Sequence, residues 1–308
     1  TMDAAFEAEI LETFAVLAAG GYVQRGLRSI HWCPTDRTAL AEAEIEYEND
    51  PSPSIIVAFP LRSDPKGVLG GPAEALAWTT TPWTLPANRG LMVDPGADYV
   101  VVENAGRRFL LAAGRVTAVA EAAGWKAPMG EGARLKGRDL LGLVFEAPWG
   151  NDSPIVDGTP FVSMEDGTGL VHTAPGHGKE DFTVGQRAGL EVACPVDEAG
   201  RFTAGAEPFV GRSVIDPELN REIIDRLRQQ GLLVAESTLT HAYPHCWRCR
   251  RPVIFRATRQ WFMMIDHRGH RDRALAAIER EVRWEPPSSQ HRIRAAVRLR
   301  PDWCLSRQ

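Results

Sequence analysis

The spacing of apolar residues at the start of the chain predicts a helix from Asp3 to Gly20. Phe6, Ile10, Phe14 and Leu17 recur every three to four positions, which places them on one face. Asp3 is a suitable N-cap, and the Gly20-Gly21 pair that follows is typical of a helix end. We expect the apolar face to pack on a distant or absent partner.

After residue 48 the pattern changes to short apolar runs separated by turn residues, which indicates strands. The run 48–53, Glu-Asn-Asp-Pro-Ser-Pro, breaks the periodicity, and we expect a domain boundary there. An Asn-Ala-Gly turn at 104–106 predicts a hairpin between the apolar runs at 99–103 and 107–112. The predicted strands are Ser54–Phe59, Ala75–Thr80, Tyr99–Glu103 and Arg107–Ala112.

The second half of the chain alternates between helical and strand-like patterns. Helices are predicted at 114–124, at 271–281 and from Pro217 onward, where Asp216 can cap the helix and proline occupies its first position. Strand-like pieces are Phe161–Met164, Leu170–Thr173, Val253–Phe255 and Trp261–Ile265. These patterns suggest three parts: an N-terminal helix and stem at 1–50, a central domain at 51–240, and an arginine-rich return segment at 241–308.

Composition narrows the class of protein without deciding its function. The net charge is -5, yet residues 241–308 hold fifteen arginines against six acids, so the tail is the better nucleic-acid candidate; a solvated helix face with ion pairs would explain it equally well. The sequence contains no apolar run of membrane-spanning length and no secretory leader pattern, so no membrane role is indicated. Five cysteines, two of them in a Cys-x-x-Cys pair, suit a reducing compartment, and we expect a cytoplasmic protein.

The stretch Trp78–Asn88, WTTTPWTLPAN, concentrates hydroxyl groups and one amide where a predicted strand meets a proline-punctuated turn. Threonines combine hydrogen-bonding hydroxyls with stiff methyl walls. A pocket for a small branched side chain, an ester and a ribose needs that mixture. A threonine-rich strand edge with no ligand is the alternative. The candidate binding residues here are Thr79, Thr80, Thr81, Trp83, Thr84 and Asn88.

A second stretch, 167–182, places two histidines in a glycine-spaced loop and an acidic pair at the start of a helix. Asp181 could hold a substrate ammonium group, and His172 or His177 could position or polarise water. Glycines in such a loop permit close approach of a ligand. Helix capping by the carboxylates and loop packing by the histidines are the competing explanation.

Together the two stretches resemble the editing-site signatures of isoleucyl-tRNA synthetases, WTTTPWTLPAN and GTGxVHTAPGHGxxDF. The resemblance extends through 31–34, 39–44, 243–248, 256–262 and 300–308, and so covers essentially the whole chain. It implies an α/β fold: a compact β-barrel-like editing domain with peripheral helices, plus flanking stem segments of a split nucleotide-binding catalytic domain. Valyl and leucyl relatives usually continue the threonine stretch with arginine and an acid, where this chain has Pro82-Trp83-Thr84.

The resemblance also implies an activity: hydrolysis of valine wrongly esterified to tRNA(Ile), an aminoacyl-tRNA deacylase activity with the tRNA acceptor end and the rest of the synthetase chain as partners. By resemblance, Asp181 binds the amino group and His172 helps to orient water, with Thr80 assigned to the catalytic set. The remaining threonines, Trp83, His177 and Asn88 line the site or hold the terminal adenosine. No cofactor is required, and Cys194 has no recognisable activating context, so direct attack by water is expected.

The family's ATP-site signatures, HxGH near the N-terminus and a KMSKS loop, are not matched, so the chain is not expected to activate amino acids. The sequence His267-Arg268-Gly269-His270 mimics the first signature but does not open a nucleotide-binding unit. Some relatives tie the stem with two Cys-x-x-Cys knuckles, and Cys246 and Cys249 match one of them. The other has become Cys33 with Asp36, so we expect clearly substoichiometric zinc.

Two other functions compete with this hypothesis. One is a valyl-type editing domain, which would hydrolyse threonyl esters. The other is a non-catalytic tRNA-binding module using the arginine-rich tail, which predicts binding without turnover and indifference to changes at Asp181.

Overall fold

The computed structural model describes residues 2–126 and 130–306, which form two compact units, one of residues 28–257 and one of residues 2–27 with 258–306. Thr1, 127–129, Arg307 and Gln308 lie outside the described residues, so the last two positions of the 300–308 motif are not covered. The described helices are α1 (Ala4–Ala19), α2 (Val116–Ala122), α3 (Gly137–Leu140), α4 (Lys179–Ala188), α5 (Pro217–Gln229), α6 (His270–Arg280) and α7 (Ser289–Leu299).

Most of the described strands lie in the larger unit. The described strands are β1 (Val23–Cys33), β2 (Thr38–Ala39), β3 (Ile45–Ser63), β4 (Glu74–Thr79), β5 (Gly90–Val93), β6 (Asp98–Asn104), β7 (Arg107–Ala112), β8 (Gly130–Lys136), β9 (Val144–Glu146), β10 (Asp152–Asp157), β11 (Val171–Thr173), β12 (Leu233–Cys246), β13 (Ile254–Met263) and β14 (Trp303–Cys304). Short 3-10 helices lie at Glu42–Glu44, Pro82–Ala87, Ala113–Arg115 and His267–Gly269.

Ten of the described strands form one sheet in the order β12-β3-β9-β10-β5-β11-β4-β7-β6-β8, and β3 also pairs with β4. The pairing therefore closes a ring of six strands, β3-β9-β10-β5-β11-β4. The other four extend outward from it, and β12 and β8 are the ends of the order. The expectation of a mixed α/β fold is confirmed, but the barrel-like description is wrong: the sheet is ring-like, and the outer strands leave edges that a closed barrel does not have.

A hydrophobic core of the larger unit lies between the strands β3, β4, β6 and β7 and the helix α2. Its buried cluster comprises Ile56, Ala58, Leu76, Val100, Val102, Phe109, Leu111, Val116 and Val119. Alternate residues of β3 and β6 contribute to it because successive side chains of a strand point to opposite faces. Burial of this apolar surface supplies the main favourable free energy of folding for the unit and fixes the strands that carry the site.

Several local sequence patterns correctly predicted helix caps and a hairpin turn. Asp3 caps α1 by accepting a hydrogen bond from the Ala5 amide at 2.9 Å, and Asp216 caps α5 in the same way, accepting from Glu218 at 3.0 Å. The predicted hairpin is β6–β7, which closes through Asn104 and Arg107. Its turn residues, Ala105 and Gly106, both have positive φ, as a two-residue hairpin turn requires.

Two local predictions were wrong. Residues 48–53 do not interrupt the regular structure but lie within β3, where Ser52 pairs with Leu239 of β12. The domain boundary expected at this point stays a prediction. The prolines are accommodated because β3 pairs with β4 only from Ile55 onward, so among the described strands β12 alone is its neighbour at Pro51 and Pro53. The run 161–164 is not a strand; the Phe161 amide donates to the Gly158 carbonyl in a turn instead.

The domain limits suggested by the sequence, at 50/51 and 240/241, fall within β3 and β12. In the smaller unit, α1 has no buried residue, and Phe6, Ile10 and Leu11 are exposed. No helix in residues 2–126 and 130–306 is both long enough and apolar enough to cross a bilayer.

Candidate functional site

The two sequence stretches meet because their strands are neighbours in the ring. Strand β11 pairs in parallel with β4, with Val171 opposite Trp78, and antiparallel with β5. Beyond Thr79 the chain enters the 3-10 helix Pro82–Ala87, every residue of which is buried. Beyond Thr173 it enters the loop that leads to α4. Both segments therefore leave the sheet beside each other and enclose a cavity of about 500 Å³.

Eight of the nine candidate residues line this cavity. They are Thr79, Thr80, Thr81, Trp83, Thr84, His172, His177 and Asp181. The ninth, Asn88, is completely buried and contacts the cavity only through His172. The volume lies within the usual range for a small-molecule site. The sequence-based candidates therefore form one site, in which Asn88 supports the wall from behind.

His172 is held by hydrogen bonds at both ring nitrogens. Thr84 Oγ1 already donates to the Thr81 carbonyl at 2.9 Å, so at 2.9 Å from His172 Nε2 it must accept, and Nε2 carries the proton. Asn88 Nδ2 donates to His172 Nδ1 at 2.8 Å and to the Gly90 carbonyl at 3.0 Å; because a carbonyl only accepts, the amide orientation is fixed. His172 is therefore neutral in a single tautomer.

Burial reinforces this state. His172 is 7% exposed, and desolvation of the charged ring, with a smaller contribution from His177, lowers its pKa to about 3. A ring with both nitrogens occupied by the protein cannot accept a proton from water without breaking one of these bonds. The geometry fits a rigid wall residue.

Asp181 lies in the first turn of α4 with one carboxylate oxygen, Oδ2, accepting from the Ala174 amide at 2.7 Å. Burial raises the pKa of Asp181 to about 7, and the neighbouring Glu180 raises it further, while the Ala174 hydrogen bond opposes the shift. A carboxyl group in this state is stabilised as the anion by a cation entering the cavity. It is therefore suited to bind an ammonium group.

His177 is the second histidine of the signature stretches that lines the cavity. Its Nδ1 donates to the Phe255 carbonyl at 2.9 Å, and its ring packs edge-on against Trp83 with centroids 5.0 Å apart. Trp83 in turn hydrogen-bonds Tyr243, whose pKa is raised by burial to about 12, so that it remains a neutral phenol. Tyr243 also lines the cavity.

The loop 167–169 closes another side of the cavity and depends on its glycines. Gly169 has φ +79°, and a Cβ there would lie 2.2 Å from the Cβ of Ala112. Between the glycines, the Thr168 hydroxyl donates to the Leu76 carbonyl at 2.6 Å. Tyr99 Oη donates to the Gly169 carbonyl at 2.8 Å. The loop is thus fixed to the sheet by side chains from inside the core.

Sequence reasoning missed several contributors to the site. Tyr243 was part of a family motif but carried no signal for the cavity, and Trp78 was read only as the start of the threonine stretch. Phe255 acts through its backbone carbonyl, which no side-chain pattern can reveal. Tyr99 was assigned to a hairpin strand, and only the folded register brings its hydroxyl to Gly169.

A separate cluster in the larger unit joins Cys33, Asp36, Cys246 and Cys249, whose ligand atoms all lie within 4.8 Å of one another. Sγ of Cys33 lies 3.5 Å from Sγ of Cys249, and Sγ of Cys246 lies 3.4 Å from Asp36 Oδ2. Burial raises the pKa of the Cys33 and Cys246 thiols. Three sulfurs and one carboxylate at this spacing could hold a metal ion; zinc accepts such donors, but structural zinc sites favour cysteine and histidine over a carboxylate.

The sequence that mimics an ATP-site signature is engaged in local structure in the smaller unit. His267 Nε2 donates to the Gly20 carbonyl at 3.0 Å, and its ring packs edge-on against Tyr22 with centroids 4.8 Å apart. Residues 267–269 form a 3-10 turn before α6. These contacts cap the end of α1.

Comparison with known proteins gives a consistent result over the whole sequence. The family model described as class I tRNA synthetases (I, L, M and V) matches residues 1–308. The chain is 47% identical over 309 residues to the isoleucine–tRNA ligase of Syntrophomonas wolfei and 45% identical over 311 residues to that of Thermotoga neapolitana, with all of this chain covered in both alignments. These alignments cover 32% and 33% of the relatives, so the chain spans about a third of their length.

Among solved structures, the editing domain of P. knowlesi cytosolic leucyl-tRNA synthetase matches 63% of this chain and 98% of its own, at 10% identity and a TM-score of 0.47.

Proposed function

Because the chain belongs to the class I tRNA synthetases of the isoleucine, leucine, methionine and valine group, and resembles the isoleucine enzymes throughout, we propose that its cavity hydrolyses the aminoacyl ester of mischarged Val-tRNA(Ile). The observation that carries the proposal is the meeting of both signature stretches in one cavity, which Asp181 and the threonines line together. The tRNA acceptor end and the remainder of a synthetase chain are the partners that this activity implies.

The substrate's ammonium group binds to Asp181. An α-ammonium is the one cationic group of a valyl ester, and Asp181 is a half-buried acid whose pKa is raised chiefly by desolvation of the carboxylate. Pairing the two relieves the desolvation penalty of the carboxylate, so the site favours aminoacyl esters over esters without an amine.

Selection of valine over isoleucine is steric. Isoleucyl-tRNA synthetase is itself the reference case for the limit on this discrimination, since one methylene in an apolar pocket is worth only about 1–3 kcal/mol. A hydrolytic site that admits valine and excludes isoleucine needs rigid walls. Such walls are provided by the buried turn Pro82–Ala87 and by the ring of His172, which is hydrogen-bonded at both nitrogens.

Hydrolysis proceeds by direct attack of water. Cys194 does not line the cavity, and burial raises its pKa, which keeps it a thiol and not a nucleophilic thiolate at neutral pH. The polar groups of the wall include threonine hydroxyls, the neutral rings of His172 and His177, and the carboxyl groups of Asp166 and Asp181. Catalysis therefore comes from positioning the ester and from hydrogen bonds to the developing charge. The four residues of the cysteine cluster are not among those that line the cavity.

The test is deacylation of Val-tRNA(Ile) and Ile-tRNA(Ile) by the 308-residue chain, alongside Asp181→Ala and the matched control Glu180→Ala, which removes an exposed acid from the same helical turn. We expect faster loss of valine, a fall in kcat/KM of at least about tenfold for Asp181→Ala, and little change for the control.

Two outcomes would replace the proposal. Preferential hydrolysis of a threonyl ester would identify a valyl-type editing site. Binding of tRNA with no ester hydrolysis, unaffected by the change at Asp181, would identify a non-catalytic tRNA-binding module.

A further inference from the structure

One nitrogen atom in the wall of the cavity has no partner. Among the described residues, His177 is only 7% exposed, and its Nε2 atom is buried and makes no hydrogen bond. A buried acceptor without a partner lowers folding stability. Because His177 lines the cavity, a molecule bound there can supply the missing hydrogen bond.

The tautomer of His177 follows from its other nitrogen. A carbonyl oxygen can only accept, so the 2.9 Å contact between Nδ1 and the Phe255 oxygen places the ring proton on Nδ1. The neutral ring then presents only a lone pair at Nε2. Desolvation by burial, together with the nearby Arg256, lowers the pKa of His177 to about 4 although the Phe255 bond opposes this, so the lone pair is available at neutral pH. Nε2 can accept a hydrogen bond but cannot donate one.

Two other basic groups of the wall, both from the signature stretches, are already engaged. His172 uses both nitrogens, to Thr84 and Asn88. Asp181 is paired with the ammonium group in the mechanism proposed above, and its Oδ2 also accepts from Ala174. Of the reactants, the water molecule is the one that must give up a proton. His241 also lines the cavity, where its Nε2 contacts Ser52 Oγ at 3.0 Å, and Asp166 is an exposed carboxylate of the same wall. Among the described histidines of the wall, His177 is the one with a buried ring nitrogen that has no hydrogen-bond partner.

We infer that His177 Nε2 accepts a hydrogen bond from the water that attacks the ester carbonyl, and so acts as a catalytic residue; this inference rests on the deacylase function proposed above. As the water oxygen forms its bond to the carbonyl carbon, the water proton moves toward Nε2. When the bond between that carbon and the ribose oxygen breaks, the proton passes to the ribose oxygen. The products are the free amino acid and a free ribose hydroxyl, and His177 returns to its neutral form.

Two substitutions separate this role from packing. His177→Asn places an amide nitrogen where Nδ1 was and can keep the bond to the Phe255 carbonyl, but it has no atom at the Nε2 position. His177→Gln places an amide oxygen near the Nε2 position and gives up the bond to Phe255. Single-turnover deacylation of Val-tRNA(Ile), with KM measured separately and folding checked by thermal unfolding, gives the comparison.

We expect His177→Asn to lower kcat by about 100-fold with KM nearly unchanged, and His177→Gln to retain more activity than His177→Asn. Equal activity of the wild type and His177→Asn, or a loss that is greater in His177→Gln and tracks thermal stability, would overturn the inference while leaving the deacylase function in place. A wild-type chain that hydrolyses no aminoacyl ester would instead remove the proposed function itself.

A second measurement does not depend on the variants folding. In the ¹⁵N spectrum of the imidazole nitrogens of the wild-type chain, we expect His177 to show a protonated Nδ1 and an unprotonated Nε2 at neutral pH. A protonated Nε2 would refute the inference, because that atom could then not accept from water.

Discussion

Replacing Asp181 with asparagine should make the protein more stable at the pH where the proposed enzyme works. The pKa of Asp181 is raised from 3.8 to about 7, so the folded state holds this proton more tightly than the unfolded state does. Stability is therefore highest when the group is protonated in both states and is lost as the pH rises from about 4 to about 7. Asparagine has nearly the same shape as the protonated acid, can still accept from the Ala174 amide, and does not ionise.

The magnitude follows from the size of the pKa shift. At about 1.4 kcal/mol per pKa unit, the advantage of Asp181→Asn amounts to about 2 kcal/mol at pH 5 and about 4 kcal/mol at pH 8. These are upper limits, because water in the cavity relieves part of the penalty. The same substitution removes the carboxylate that binds the substrate amine, so deacylation should fall as stability rises.

Urea unfolding of the wild type and Asp181→Asn at pH 5, 6, 7 and 8 measures the difference directly, and Glu180→Gln serves as the control for an exposed acid on the same helix. We expect the free-energy difference between Asp181→Asn and the wild type to grow with pH and to level off above pH 7. A difference that is the same at pH 5 and pH 8, or a variant less stable than the wild type at pH 8, would refute the reasoning.

Three further predictions concern the supports of the site and the cysteine cluster. Asn88→Ala leaves the Nδ1 of His172 without its buried donor, so we expect about 2–3 kcal/mol of destabilisation by urea unfolding and weaker rejection of Ile-tRNA(Ile); unchanged selectivity would contradict the wall role. Gly169→Ala should lower the Tm far more than Gly189→Ala, since both positions have positive φ but only the first also lacks room for a Cβ; equal losses would show that backbone strain alone decides. Metal analysis should find clearly less than one zinc per chain, and Asp36→Cys should raise the content toward one; a full equivalent in the wild type would contradict the prediction.

Local signals in the sequence were sufficient for elements whose determinants lie close together. The caps of α1 and α5 and the turn of the β6–β7 hairpin need only a few neighbouring residues, and each formed as predicted. The closure of the ring was not predictable in this way, because the parallel pairing of Val171 with Trp78 joins residues far apart in the chain.

The site shows the same division. Motif residues identified most of the cavity wall, since each carries its chemistry in its side chain. The different roles of these residues could be distinguished only in the structure. The two histidines look alike in the sequence, yet His172 has both ring nitrogens hydrogen-bonded and His177 has one ring nitrogen without a partner. The interruption of β3 that the sequence predicted at Pro51 and Pro53 does not occur. Pairing with β12, a distant part of the chain, outweighs the local conformational preference of the prolines.

The long ribbon of β3 and β12 has a consequence for protein engineering. Its pairing begins with Ile45 opposite Cys246, so the segment between these positions leaves and returns at adjacent points on the backbone. Bringing the ends of a long chain segment together normally costs conformational entropy, and here the ribbon itself holds them together. Residues 46–245 therefore begin and end side by side, as a segment inserted into a host chain must, but a graft that is to keep the cavity also needs Phe255, which lies beyond them.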